Sequence, residues 1–204
     1  MNGRDLALGV VAGLTVAGVV SKRRGSRAAP VRFPDRYDEL VSVATEAYDS
    51  LNDGYEEDED EDWDTRVSQL VQLLAANGFR VIGRGGSRVV VKLDDTYAAK
   101  VAAKPTGVRQ NEHESGTWGV VTREAPKQAA LLMPVHDVDG EGVVLLTEIA
   151  TPCTEKNEAA CAAVLRQARQ TLGSSPLTRD LVDATFEFNW GFHHGVFKLL
   201  DYGL

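Results

Sequence analysis

Lys100 sits in YAAKVA, residues 97–102, where every neighbour except Tyr97 is small and apolar. An ammonium in such a strand is expensive unless an anion meets it. Glu112 and Glu114 stand one helix further on, in GVRQNEHESGTWGVVTRE, and either carboxylate offers that partner. Upstream, Gly83, Gly85 and Gly86 fall in FRVIGRGGSRVVVKL, where the missing Cβ atoms let backbone N–H groups approach an anion closely. Hairpin turns use the same glycines, so Lys100 is what separates an anion site from a plain turn. The chain finishes NWGFHHGVFKLLDYGL, with Asn189 and Asp201 at the two ends of a hairpin turning at His193-His194-Gly195. Those two side chains bring hard oxygen atoms, the donors that hard cations select.

Bringing these residues together requires a sheet and helices. From Phe79 to Ala102, β-branched residues alternate and cluster around the glycines, predicting a strand, a glycine-rich turn, a strand, a tight turn at Asp94-Asp95 and a third strand. ALLMPVHDV and GVVLLTEIA, joined through Asp139-Gly140-Glu141-Gly142, predict a hairpin that completes a five-stranded antiparallel sheet. The segment after Pro105 predicts a helix interrupted at Gly116 and Gly119, and TPCTEKNEAACAAVLRQARQTL returns to helical period. Ahead of the sheet, Tyr37, Leu40, Val41, Ala44, Ala47, Tyr48 and Leu51 recur at helical spacing, with Asp35 placed to cap them. A second helix from Asp64 sets Val67, Leu70, Val71 and Leu74 on one face and ends at Asn77-Gly78, a pair suited to a left-handed C-cap. The fold class this pattern implies is α+β.

With 204 residues, 43% hydrophobic and 25% charged, the chain can bury a core. A net charge of −8 disfavours nucleic acid as a partner and suits a salt-rich cytoplasm. The run EEDEDED at 56–62 reads as a solvated acidic linker rather than a cation site, because adjacent carboxylates repel. LALGVVAGLTVAGVV, residues 6–20, carries no charge and is followed by Lys22, Arg23, Arg24 and Arg27. As a helix it covers about 22 Å, short of the roughly 30 Å hydrocarbon core. We read it as a membrane anchor with the rest of the chain in the cytoplasm. A cleaved signal peptide, whose charge asymmetry is the reverse, and a buried or surface-lying helix are the alternatives. Cys153 and Cys161 lie eight positions apart in a stretch read as helix, so two reduced thiols in a reducing compartment are expected. His193 and His194 read as exposed turn residues rather than a metal pair, and His113 and His136 as isolated. Trp63, Trp118 and Trp190 read as core or interface aromatics rather than stacking platforms.

The order of the parts resembles the protein-kinase-like superfamily, and in particular the small kinase-like proteins of haloarchaea, phages and related mobile elements. The resemblance covers residues 78–204 and rests on GRGGSRVVVKL, YAAKVA, RQNEHESGTW and NWGFHHGVFKLLDYG. Over those residues it implies a minimal kinase-like fold, with an N-lobe at 78–150 and a truncated C-lobe with a metal-binding hairpin at 151–204; ahead of it stand the hydrophobic segment at 1–24 and, at 25–77, a linker with two accessory helices and an acidic loop. It further implies that Gly83, Gly85 and Gly86 cover phosphates and that Lys100 binds them. Glu114 becomes the lysine's partner, preferred over Glu112 because Gln110-Asn111 precedes it and Trp118 follows one turn on. Asn189 and Asp201, the latter in DYG, become Mg²⁺ ligands, and the backbone of 148–150 becomes the adenine dock.

Departures from the family pattern are equally specific. The position of the catalytic base, five residues before the Asn, holds Ala184; Asp183 lies one residue early and Glu187 closer in. The activation segment and the helices that follow it in a full kinase have no counterpart before Leu204. The expected function is therefore an ATP- and Mg²⁺-binding kinase-like protein, a phosphotransferase of unknown substrate with Asp183 as its candidate base. The alternative is an inactive pseudokinase or adaptor module in a membrane-associated viral or host complex, with an unknown protein partner.

Overall fold

The computed structural model describes residues 33–53, 63–179, 181 and 189–203. The hydrophobic run at 6–20, the acidic run at 56–62, and Asp183, Ala184 and Glu187 lie outside the described residues. Among the described residues, no helix is long and apolar enough to cross a membrane.

Two amphipathic helices come first, α1 (Tyr37–Asn52) and α2 (Trp63–Ala76). The helical periodicity of the sequence is realised: Tyr37, Leu40, Ala44 and Ala47 of α1 and Val67, Leu70 and Leu74 of α2 are buried. Arg36 rather than Asp35 occupies the N-cap position of α1, with no side-chain cap hydrogen bond. The end of α2 follows the sequence closely. Gly78 adopts φ +76°, its N–H donates to Ala75 O at 3.0 Å, and the Phe79 N–H donates to Leu74 O at 2.9 Å, the paired bonds of a Schellman cap.

The sheet follows as β1 (Arg80–Arg84), β2 (Arg88–Lys92) and β3 (Tyr97–Ala102), then β4 (Val135–Val138) and β5 (Val144–Glu148). Its five strands lie in the order β1-β2-β3-β5-β4, every neighbouring pair antiparallel, so β3 is central. Successive side chains of a strand point to opposite faces. Val89, Val91, Ala99, Val101, Val144 and Leu146 accordingly join α1 and α2 in one apolar cluster. Val90, Ala98 and Lys100 line a cleft instead.

Helix α3 (Pro105–Glu124) runs unbroken, although the glycines at 116 and 119 predict an interruption. Each glycine costs a helix about 1 kcal/mol relative to alanine. Buried Gly107, Asn111, Glu114 and Val121 anchor the helix over its length and outweigh that local preference.

The remaining elements are α4 (Pro126–Ala129), a two-residue strand β6 (Thr151–Pro152), α5 (Glu158–Gly173), and the hairpin β7 (Trp190–His193) and β8 (Val196–Leu199). They build a second apolar cluster around Leu132, Met133, Leu165, Leu172, Trp190 and Leu199. Trp190 is fully buried and Trp118 packs at the edge of this cluster, as core aromatics should.

Cys153 and Cys161 form a disulfide, which corrects the expectation of two free thiols. That expectation assumed continuous helix through both residues, and eight residues of helix would separate them by about 12 Å. Helix α5 instead begins at Glu158, and Cys153 leaves β6 with its N–H bonded to Trp190 O at 2.7 Å. The intervening loop folds back on itself, bringing the two Cα atoms to 6.1 Å.

Candidate functional site

Lys100 lies in the middle strand, 8% exposed, with its ammonium fully engaged. Nζ donates to both oxygens of Glu114, at 2.8 and 2.7 Å, and to Leu200 O at 2.8 Å. The pairing follows from position. β3 presents Lys100 on its cleft face, and α3 crosses behind that face with Glu114 inward, 1% exposed. Glu112, the other candidate partner, has its side chain against Gly142 instead.

Asp201 arrives from the far end of the sequence. Leu200 N donates to Asn189 O at 2.6 Å, so the β7–β8 hairpin sets Asn189 and Asp201 near one another at its open end. Asp201 Oδ1 lies 3.6 Å from Lys100 Nζ. Gly203 allows the approach, since a Cβ there would come 2.8 Å from Gln110 Cβ and 3.1 Å from Glu114 Oε1. Tyr202 fixes the same segment from the other side by donating its buried hydroxyl to Met133 O at 2.8 Å.

One residue of the site escaped sequence reading. Arg88 opens β2 on the face shared with Val90, which pairs with Lys100 across the strands. Its guanidinium reaches Glu114 Oε1 at 2.7 Å, Asn111 Oδ1 at 3.1 Å and Asp201 Oδ1 at 2.5 Å. Two cations and two carboxylates therefore form one closed network. The signal was legible: a cation heading an apolar alternating strand raises the question that Lys100 raised. Asn111, wholly buried, ties the network to the β4–β5 connection by donating to Gly142 O at 2.9 Å and Val143 O at 3.1 Å.

Burial alone would oppose ionisation of Asp201. The charges of Lys100 and Arg88, with hydrogen bonds from the network, override it and hold the carboxyl well below the usual carboxylate range. Arg88 is likewise disfavoured as a cation by burial, but Glu114 and Asp201 keep it charged.

The glycine turn closes the cleft from above. Gly85 N donates to Arg88 O at 2.8 Å, making 85–87 the turn between β1 and β2. A Cβ added at Gly86 would meet nothing within 4 Å, so that backbone is open to approach. Gly83 belongs to β1, at a register irregularity, where a Cβ would press on Val90 at 3.2 Å. Gly107 lets the start of α3 pack beneath the turn, since a Cβ there would stand 2.5 Å from Ser87 O.

Together these residues line a cavity of about 660 Å³. Val90, Ala98, Met133, Ile149 and Leu200 make apolar walls; Arg88, Lys100, Asn189 and Asp201 make a charged inner end. A ligand with an apolar part and a charged part matches that division. Of the residues singled out from sequence, Gly83, Gly85, Gly86, Lys100, Asn189 and Asp201 all line this cavity, with Glu114 behind Lys100. No protein-family model, curated protein or solved structure matches this chain.

Proposed function

We propose that the cleft is a Mg·ATP site of protein-kinase-like type and that the protein is an ATP-binding phosphotransferase. The observation that carries this reading is the Lys100–Glu114 pair, buried beneath a glycine turn and facing Asp201 across a cavity of about 660 Å³. The residues present fit the nucleotide. The apolar walls suit adenine, the backbone of 148–150 lines the cavity, and Lys100 and Arg88 offer cationic groups to phosphates, with Glu114 and Asp201 balancing their charge. For the metal, Asn189 and Asp201 supply hard oxygen donors at the cavity wall. Bound Mg²⁺ would neutralise phosphate charge during transfer. The chain's own contribution is positional: Glu114 holds the ammonium of Lys100, Arg88 adds a second cation, and the glycine turn offers N–H groups without side chains.

A titration of the full chain with Mg·ATP, followed by thermal unfolding, tests this directly. Stability should rise with nucleotide concentration, and Lys100→Met should remove the rise. No shift at millimolar nucleotide would leave an adaptor that binds no nucleotide.

Arg88 favours a second reading, nucleotide binding without transfer. Its guanidinium engages the carboxylate of Asp201, the group that would hold a metal. The position five before Asn189 is also Ala184, which cannot accept a proton. On this reading the protein is a pseudokinase module, serving a membrane-associated complex through residues 6–20. Magnesium-dependent ATP turnover lost in Asp201→Ala supports the enzyme; stabilisation by ATP without turnover supports the module.

A further inference from the structure

Outside the charged network, one cluster of metal-binding side chains joins the two sheets. Glu148 ends β5, and His193 and His194 end β7 and enter its turn. Glu148 Oε2 lies 2.5 Å from His193 Nε2, and the candidate ligand atoms of Glu148, His193 and His194 all fall within 4.8 Å of one another. The sequence suggested two exposed turn histidines. His193 is in fact buried at 9% exposure, and its ring centroid stands 4.2 Å from that of His194.

The turn itself is informative. His194 adopts φ +48° and Gly195 φ +77°, the double left-handed conformation of a two-residue hairpin turn. Asn, Asp or Gly is the usual choice at the first of these positions. A histidine forgoes that preference and places an imidazole beside His193. The carboxylate is also held from behind: His136 Nε2 lies 2.7 Å from Glu148 Oε1, and the His136 ring packs edge-on to Tyr97 at 5.3 Å. Such outer hydrogen bonds to a ligating carboxylate are what fixes its orientation at metal centres.

We propose that Glu148, His193 and His194 form a three-ligand zinc(II) site that clips the β7–β8 hairpin to the end of β5. Two imidazoles and a carboxylate suit Zn²⁺, with ligand distances of about 2.0–2.2 Å and a fourth position open to water. The ion enters from the solvent side, where His194 is exposed. It widens the Glu148–His193 pair and draws His194 in. Glu148 lies at the rim of the large cleft, and Asn189 begins the hairpin that the ion would hold. Zinc binding does not depend on nucleotide binding.

The test uses the full chain, stripped of metal with a chelator and then titrated with ZnCl₂ alone, without nucleotide. Calorimetry should show saturable binding of one ion with a rise in Tm. Cobalt(II) in its place should give the intense visible absorption of a four-coordinate site. His194→Asn keeps the turn, since Asn suits the left-handed position better, and should weaken zinc binding at least about tenfold. Glu148→Gln should do the same. Absence of saturable uptake by the wild-type protein, or affinity unchanged in either variant, overturns the proposal. His113→Asn, away from the cluster, should bind zinc as the wild type does.

Discussion

Glu114 is the residue on which the charged network turns, because it accepts from both Lys100 and Arg88 while almost wholly buried. Removing Glu114 leaves two buried cations facing the single carboxylate of Asp201, and breaking a buried ion-pair set of this kind costs about 3–5 kcal/mol. Glu114→Ala should therefore lower the urea midpoint markedly, whereas Glu112→Ala should not. Asp201 differs, since 39% of its side chain is exposed and its pairs are screened. Its carboxyl is held below its ordinary value, so the stability it contributes is present above the unfolded-state pKa of about 3.9 and is lost as pH falls through the lowered value. Acid titration of the metal-free protein should show this as a steeper loss of stability below about pH 4 than in Asp201→Asn. Arg88→Met should sharpen the Mg²⁺ dependence of the proposed ATP binding, because the variant frees the Asp201 oxygen that Arg88 now engages. Unchanged Mg²⁺ dependence would mean the arginine does not compete with the metal. Lys100 could be read from sequence because one charge in an apolar strand is conspicuous. Arg88 could not be paired in the same way: its partners lie 26 and 113 residues away on elements whose approach the sequence does not state.

At the level of elements, close backbone approaches set which substitutions the fold tolerates. Gly191 of β7 is the tightest case, because a Cβ would meet the Thr151 carbonyl oxygen, an atom of backbone that cannot swing aside. Gly191→Ala should part β6 from β7 and lower Tm, while Gly86→Ala, with open space around it, should leave Tm nearly unchanged. The Cys153–Cys161 bridge closes a small loop, for which the chain-entropy relation gives about 2–3 kcal/mol. Reduction, or Cys153→Ser, should destabilise by no more than that, read by thermal unfolding with and without reductant. Element types were largely legible: α1, α2, the strands of the main sheet and the terminal hairpin all fall where periodicity and turn residues place them. Two details were not. The glycines at 116 and 119 overstated their power to break a helix buried along one side. The stretch at 151–157 has helical composition, which does not show that the chain doubles back there.

Across the whole molecule, α1 and α2 share one apolar cluster with the sheet rather than forming a separate appendage. Leu40 and Leu70 are fully buried in it. Leu40→Ala or Leu70→Ala should each cost about 2–5 kcal/mol and leave the proposed nucleotide binding intact, a pattern visible as a lower Tm with an unchanged nucleotide-induced increment. The α+β class and the five-stranded antiparallel sheet followed from sequence because hairpins connect near neighbours; the pairing of β3 with β5 across α3, α4 and β4 did not. That the two helices preceding β1 would cover the sheet's far face did not follow, since amphipathicity says that a helix packs and not against what.

β3 has both of its sides committed: Ala99 and Val101 face the helices, while Ala98 and Lys100 face the cavity. Sliding that strand by a single position would exchange the two sets at once, driving an ammonium into hydrocarbon and leaving a valine where the carboxylates wait. The packing that keeps water out of one half of the protein thus dictates the address of the charge in the other half.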